Sequence, residues 1–564
     1  MITEFLSTFF STHLPVLPVL LPLFTGVVLL LLGDGLGAAA LNRSQAAKPT
    51  LQRILSMASV VLGAIFAWRL MTDADAGALT VYPLGGWQAP FGIVLVVDRL
   101  SAMMLALTWT IAVPVLWYAT AQWDMRGRHF HALFHFQLMG LSGAFITGDL
   151  FNLFVFFEIL LIASYVLLVH GQGAERFKAG VHYVVLNLAA SALFLVGLAI
   201  VYGVTGTLNI TDLTLRVAEL DAEQAVLAKI AAMILLVVFG LKAAIVPLYM
   251  WLPRAYGVAS APVAALFAIM TKVGVYSIIR VHVGIFGEGA GHAAMVVEPW
   301  LLPVALISCV LGVLGALAAR SFARMVAYLT ISSVGVILAS VGLFSTASLS
   351  AALYYMVHST LVVAALFLLV ELIASQRGET KDKLLPASAV AQPVALGLMA
   401  LLAAASVAGL PPLPGFLGKL MILQSASSSS AQIWVWSVIL GASFLTLIGL
   451  ARAGSTLFWN VLPEQPPPLE AASSDASSDD SGASTRTMTA TLLLLALGLL
   501  LTVGASPMKR YTDAAATQLA DRAAYANAVL GPFGGAAAET TRPYRGGESD
   551  IIMPNAGSGS GAEP

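Results

Sequence analysis

Between residues 14 and 506 the chain repeats one pattern, an apolar run of about 20 residues closed by a short polar loop. A run of that length crosses the ~30 Å hydrocarbon core as a helix. Lipid offers no hydrogen bonds, so each backbone N–H and C=O has to pair inside the segment. About fourteen such runs are recognisable. They lie near 14–34, 52–72, 97–121, 131–148, 151–169, 180–204, 226–248, 259–283, 300–320, 325–345, 350–375, 391–410 continuing through a break to 424, 431–453 and 488–506. Composition agrees, with 59% hydrophobic and 10% charged residues, where soluble domains carry roughly 25% charge. The expected fold class is an all-α polytopic membrane protein. The first run holds His13 and two early prolines, without a basic start or an A-x-A site. It reads as a retained helix rather than a cleaved signal peptide.

Loop charges orient these helices. Arg43, Lys48 and Arg53 follow the first run, Arg126 and Arg128 the third, Arg176 and Lys178 the fifth, and Arg254 the seventh. Arg320 and Arg324 follow the ninth, Arg377, Lys381 and Lys383 the eleventh, and Arg452 closes the thirteenth. The intervening loops carry Asp73, Asp75, Asp149, Asp212, Glu219, Asp221, Glu223, Glu288 and Glu298, with Arg216 as the clear basic exception. Basic loops stay in the cytoplasm. The alternation therefore places the N-terminus outside it, in a multi-pass membrane protein. A net charge of −1 gives no reason to expect a nucleic-acid partner. The single cysteine, Cys309, lies in an apolar run and permits neither an intrachain disulfide nor a Cys-based metal site. No nucleotide loop, haem-ligand pair or Cys cluster is present, so no cofactor and no metal are expected.

Ionisable residues inside the runs are the informative set, because a charge at the bilayer centre costs about 2.5–3.5 kcal/mol on insertion scales. Glu158 sits mid-run in F-V-F-F-E-I-L-L-I, Lys242 and Lys272 near the middles of successive runs, and His358 in Y-Y-M-V-H-S-T-L-V. Lys419 follows G-L-P-P-L-P-G-F-L-G. Two of these lysines adjoin interrupted helices, Lys242 before Pro247 and Pro253, and Lys419 after Pro411, Pro412, Pro414 and Gly415. Proline frees backbone carbonyls, which membranes tolerate only where protein or a wet cavity takes them up. A buried lysine beside a broken helix is the pattern of an ion pathway, and two such places five spans apart point to two structural repeats. Plainer readings stand beside these. A lysine can snorkel to the surface, Glu158 and Lys242 can form a structural ion pair, and a membrane histidine is as often an interhelical hydrogen-bonder as a relay.

Four of these motifs, in this order, resemble one family. F-F-E-I-L around Glu158, L-K-A-A-I-V-P-L-Y-M-W-L-P, A-P-V-A-A-L-F-A-I-M-T-K-V-G-V-Y and G-L-P-P-L-P-G-F-L-G-K are similar to the antiporter-like subunits of respiratory complex I and of Mrp (Mnh/Pha) cation/proton antiporters, over roughly residues 95–455. The wording G-D-L-F-N-L-F-V-F-F-E-I-L-L-I-A-S-Y-V-L-L-V-H-G and Y-G-V-T-G-T-L-N resembles the D-type subunits of the Mrp complexes. That resemblance implies fourteen helices with the seventh and twelfth broken. It also implies two inverted five-helix repeats, helices 4–8 (131–283) and 9–13 (300–453), after three N-terminal helices (1–130). A proton relay of Glu158, Lys242, Lys272 and Lys419, with His358 on the eleventh helix, is implied too. The partners implied are the Mrp subunits A, B, C, E, F and G, with protons exchanged for Na⁺ or K⁺ by a secondary transporter that is not an enzyme. Two positions depart from the family, Val362 where some members carry a lysine and Arg254 where an aspartate is common. The alternative reading is a proton-pumping subunit of a complex I-type or hydrogenase redox complex.

Outside the resemblance, 463–487 is a Pro/Ser/Asp-rich linker and 507–564 a polar, Ala/Gly-rich tail, expected to be mostly disordered; the run 488–506 between them is the fourteenth helix. The expected mechanism has the lysines pass protons along the membrane plane, with Glu158 acting on Lys242 through its charge. At ~8 Å and an effective dielectric near 20 that interaction is ~2 kcal/mol, enough to gate proton flow and too small to drive it.

Overall fold

The computed structural model describes residues 12–33, 47–87, 89–90, 92–462 and 482–540. Among these, 12 helices are long and apolar enough to cross a membrane, and shorter apolar helices over Phe130–Ile146 and Pro393–Ala408 complete the set. In chain order they are α1 (Leu14–Leu32), α2 (Ala47–Asp75), α3 (Arg99–Ala119), α4 (Phe130–Ile146) and α5 (Leu150–Val169). Next come α6 (Ala174–Thr205), α7 in two halves (Ala222–Ala243 and Trp251–Tyr256), α8 (Ala261–Ile285), α9 (Glu298–Ala318) and α10 (Phe322–Val341). α11 (Thr346–Ala374), α12 in two halves (Pro393–Ala408 and Pro414–Ala426), α13 (Gln432–Gly454) and α14 (Thr485–Val503) follow. The interruptions expected in the seventh and twelfth helices are both present. Pro253, expected as a helix breaker, instead lies inside the second half of α7, in its first turn, where a missing N–H costs little.

Burial sorts the helices by polarity. α8 is buried along its length, and α3, α10 and α11 nearly so. These carry the polar interior residues Thr271, Lys272, Ser277, His282, Ser332, Ser333, His358 and Thr360. α6 instead exposes Val181, Val185, Leu188, Leu193 and Val196 on its outer side. Lipid favours this arrangement, because a polar side chain finds partners only among neighbouring helices.

A matched pair of backbone bridges relates two groups of five helices. Before α5, Leu150 N donates to Leu208 O (2.8 Å) and Ile210 N to Gly148 O (2.8 Å). Before α10, Phe322 N donates to Asp382 O (2.8 Å) and Leu384 N to Arg320 O (3.0 Å). Each bridge ties the start of a group's second helix to the chain leaving its third. α5 and α10 are five crossings apart and so begin on opposite faces, which makes the relation an inversion.

Two features differ from an all-α chain with a structureless tail. Antiparallel strands β1 (Thr80–Pro83) and β2 (Val94–Val97) form a hairpin between α2 and α3, in register Thr80↔Val97, built on the β-branched residues that favour strands. The tail from residue 507 forms α15 (Ala505–Ala520) and α16 (Arg522–Thr540) rather than disordered chain. The physical reason is an apolar stripe at helical spacing, Tyr511, Ala515, Ala516 and Leu519, all buried. Polar contacts fix it. Tyr511 OH donates to Arg99 O (2.8 Å), Ser350 Oγ to Asp513 Oδ1 (2.6 Å), and Arg522 to the carbonyls of Thr214 (2.9 Å) and Ile285 (3.0 Å). Helix α14 begins at Thr485, inside the expected linker. The rest of that linker (463–481), the tail beyond 540 and Arg43 lie outside the described residues.

The tail helices thus cover the face where α3 and α11 begin and α8 ends. The hairpin and the start of α1 share that face, through His13 Nδ1 and Tyr82 OH at 2.8 Å. On the opposite face the basic loops are individually anchored. Arg53 pairs with Asp124 (2.6 Å), Arg126 lies 4.0 Å from the Trp123 ring centre, and Arg377 donates to Lys381 O (2.9 Å) and Lys383 O (2.8 Å).

Candidate functional site

Helix α5 begins on Asp149, whose carboxylate accepts the Asn152 amide, and carries Glu158 two turns further in. Glu158 Oε1 accepts a short hydrogen bond from Ser191 Oγ of α6. One turn away on α6, Asn187 Oδ1 accepts from Lys242 Nζ of α7 (3.0 Å). No ion pair within 4 Å joins Glu158 to Lys242 among the described residues, so the plainer reading of a direct structural pair does not hold, and one turn of α6 carrying two neutral side chains lies between them. Lys242 also lies 5.7 Å from the Phe157 ring centre.

The break after Lys242 is locally satisfied. Ala244 adopts a left-handed conformation (φ 59, ψ 49), and its N–H reaches Gly240 O and Leu241 O. Trp251 Nε1 donates to Leu241 O (2.9 Å), and Ser308 Oγ of α9 accepts from Val246 N (3.0 Å). These bonds absorb the groups that a helix end otherwise leaves unpaired. Helix α8 packs on this turn through Gly274. A Cβ there would lie 2.5 Å from Ala243 N and 2.8 Å from Phe239 O. Two residues before it, Lys272 is fully buried, and its Nζ has no hydrogen-bond partner among the described residues.

Helix α8 in turn packs on α11, which carries His358. The imidazole faces the break in α12. A Cβ on Gly415 would lie 2.8 Å from His358 Nε2 and 1.9 Å from Ser406 O, so no larger residue fits. Lys419 Nζ donates to Val407 O (2.9 Å) and Ala408 O (3.0 Å), the carbonyls that the first half of α12 leaves at its end. Beside it lies a cavity of about 20 Å³ lined by Ser332, Tyr355, His358, Lys419, Ser443 and Thr446, among others.

The five sequence-predicted residues therefore lie along a chain of packed helices, α5, α6, α7, α8, α11 and α12, with Glu158 on α5, Lys242 on α7, Lys272 on α8, His358 on α11 and Lys419 on α12. The groups that accept from Lys242 and Lys419 are neutral, one side-chain amide and two carbonyls. Asn187 and Ser191 were not anticipated; their spacing of four within an apolar run was the available signal. Also unanticipated is a buried bidentate pair, Arg280 of α8 on Asp98, which caps α3. Arg280 Nε donates to Tyr276 OH (2.8 Å), which donates to Phe145 O (2.6 Å).

Comparison with known proteins gives the family and the fold. Residues 147–446 match the family described as NADH:quinone oxidoreductase/Mrp antiporter, transmembrane. The chain is 38% identical to the D subunit of a probable K⁺/H⁺ antiporter of Rhizobium meliloti, covering 92% of this chain and 97% of that one. It is 36% identical to the D subunit of a Na⁺/H⁺ antiporter of Alkalihalophilus pseudofirmus, over 92% and 99%. Among solved structures, a chain of the Mrp complex from Dietzia sp. superposes with a TM-score of 0.78 at 27% identity, over 92% of this chain and 99% of that one.

Proposed function

For a chain that belongs to the NADH:quinone oxidoreductase/Mrp antiporter transmembrane family, we propose the role of the proton-translocating D subunit in a multisubunit antiporter exchanging Na⁺ or K⁺ for H⁺. The observation that carries this reading is the row of ionisable side chains running inward from half-buried Glu158 on α5 to buried Lys242, Lys272, His358 and Lys419 on α7, α8, α11 and α12. Its helices form two units, 131–283 and 300–453, and its partners are the other Mrp subunits, A, B, C, E, F and G.

The chemistry follows from the lysines' neutral partners. A lysine bonded to a carboxylate in low dielectric is locked, because losing its proton strands the negative charge. Lys242 on an amide and Lys419 on two carbonyls can each give up a proton without leaving an unpaired ion in contact. Lys272, between them, takes the proton from one side and passes it on. His358, at the α12 break, bridges to Lys419. Glu158 is a positioning residue acting by charge across α6, favouring the protonated form of Lys242 while it is ionised and near. A shift in that distance moves protons in step with the transmembrane gradient and with the partner subunits, which supply the cation path.

Reconstitution tests the assignment. Vesicles with the assembled complex are expected to move protons on addition of Na⁺ or K⁺, and vesicles with this chain alone are expected not to. Robust exchange by the isolated chain would overturn the division of labour between subunits.

The orientation proposed is N-terminus outside, cytoplasmic membrane. Cysteine at exposed Thr517 of α15 should react with a membrane-impermeant reagent in intact spheroplasts, and cysteine at exposed Lys178 only after lysis. Cys309 is buried and leaves low background. The reverse labelling pattern would invert the topology.

A further inference from the structure

The relay makes no use of a groove of about 960 Å³ on the basic face, where the ends of α9 and α13 meet the start of α10. Arg320, Arg324, Lys383 and Arg452 line it, all exposed. Asp382 is the carboxylate among its lining residues, and its Oδ2 already accepts the Ala323 amide (3.1 Å).

The walls are built rather than incidental. Buried Arg377 holds the loop bearing Lys383 by donating to the carbonyls of Lys381, Lys383 and Leu385. Leu384 N on Arg320 O (3.0 Å) fixes the same loop to the end of α9. Arg452 donates to Leu317 O, joining α13 to α9. Gly257 gives Arg324 its place, since a Cβ there would lie 2.9 Å from Arg324 Cγ.

The surface beside the groove is apolar. Leu314 of α9 and Ile448 of α13 are 46% and 44% exposed about one turn further into the membrane; Leu385 in the groove lining and Trp459, three residues after the lining Thr456, are exposed as well. A tryptophan at the end of a span sits at headgroup level. Concentrated positive charge above a lipid-facing apolar wall fits an amphiphile with an anionic head. Basic pockets between helices on the cytoplasmic side take such headgroups.

We propose that this groove binds the phosphodiester headgroup of an anionic phospholipid, whose acyl chains lie along α9 and α13 past Leu314 and Ile448. The guanidinium groups of Arg320, Arg324 and Arg452 take the phosphate oxygens, for which their planar fork geometry is suited, and Lys383 adds a point charge. The site ties the second five-helix unit to the lipid composition of the inner leaflet.

The test is native mass spectrometry of the purified, delipidated complex titrated with cardiolipin. It compares the wild type, an Arg320→Gln/Arg324→Gln/Arg452→Gln variant, and an Arg126→Gln/Arg128→Gln/Lys178→Gln variant that removes the same charge elsewhere on that face. The groove variant should bind cardiolipin on the order of 100-fold more weakly, the control variant within a few-fold of wild type, and excess inorganic phosphate should displace little lipid. Equal weakening in both variants would reduce the effect to surface charge and overturn the proposal. Complete displacement by inorganic phosphate would make the groove a free-anion site. Loss of a partner subunit from the groove variant, with cardiolipin retained, would make it a protein interface. Either outcome removes the lipid assignment. Subunit composition of every variant is read in the same spectra, so a misassembled complex is recognised directly. Single Arg452→Gln then serves as the milder replacement, with a smaller loss of the same sign expected.

Discussion

Glu158→Gln in the assembled complex is expected to abolish cation-dependent proton exchange, while Glu158→Asp retains part of it. Glutamine has the shape of glutamate, and its amide oxygen can still accept from Ser191 Oγ, so the packing against α6 survives. What disappears is the charge, whose effect on Lys242 at ~8 Å and an effective dielectric near 20 is ~2 kcal/mol, or about 30-fold in proton occupancy. Aspartate keeps the charge but is one methylene shorter and loses the Ser191 contact. Ser191→Ala separates the two contributions, since it removes the hydrogen bond and leaves the carboxylate. Its loss of exchange should stay well short of that in the glutamine variant, since the charge acting on Lys242 remains. Wild-type exchange by the glutamine variant, at equal membrane levels, would show that Glu158 is a structural acceptor and nothing more.

The span pattern was legible because hydrocarbon imposes one rule on every segment. Fourteen runs of suitable length had no other fold open to them, and the broken helices followed from Pro247 and from the proline cluster before Lys419. Glu158, Lys242, Lys272, His358 and Lys419 stood out because ionisable groups are costly in lipid. The residues that were missed are ones this cost does not mark. Asn187 and Ser191 are neutral, and nothing in their local sequence shows that α6 inserts between a carboxylate and an ammonium. Asp98 and Arg280 sit near the ends of the expected runs 97–121 and 259–283, and nothing in either local sequence pairs them. Their pairing joins residues 182 positions apart in the chain. The tail misled for a related reason. Half of its stripe is alanine, and the partners that make burying it favourable are the ends of α3, α8 and α11, which no local window contains.

Lys419 poses the sharpest question, because its geometry serves two roles at once. Nζ caps the carbonyls of Val407 and Ala408 at the α12 break, as a structural cation would. It also borders the small, partly polar cavity shared with His358, as a proton carrier would. Lys419→Arg preserves charge but cannot release a proton at accessible pH, and it is expected to be inactive. That result alone is ambiguous here, because a Cβ at Gly409 would already lie 3.1 Å from Lys419 Cδ, and a cavity of about 20 Å³ leaves little room for a guanidinium. Lys419→Gln resolves the ambiguity. Its amide donates to a carbonyl, is smaller than lysine and carries no exchangeable charge, so a relay predicts at least a ~100-fold loss, the lower range for a positioned proton-transfer group. Lys419→Glu is expected to retain partial exchange, since a protonated carboxyl still offers one donor to the break and can give that proton up. If Lys419 only held the frayed carbonyls, the order would reverse, with glutamine tolerated and glutamate dead through repulsion between its carboxylate and the two carbonyls. Exchange rates of the three variants in the assembled complex, normalised to membrane levels, decide the matter. An active glutamine or arginine variant beside an inactive glutamate variant would remove Lys419 from the relay and leave His358 to carry protons past the break.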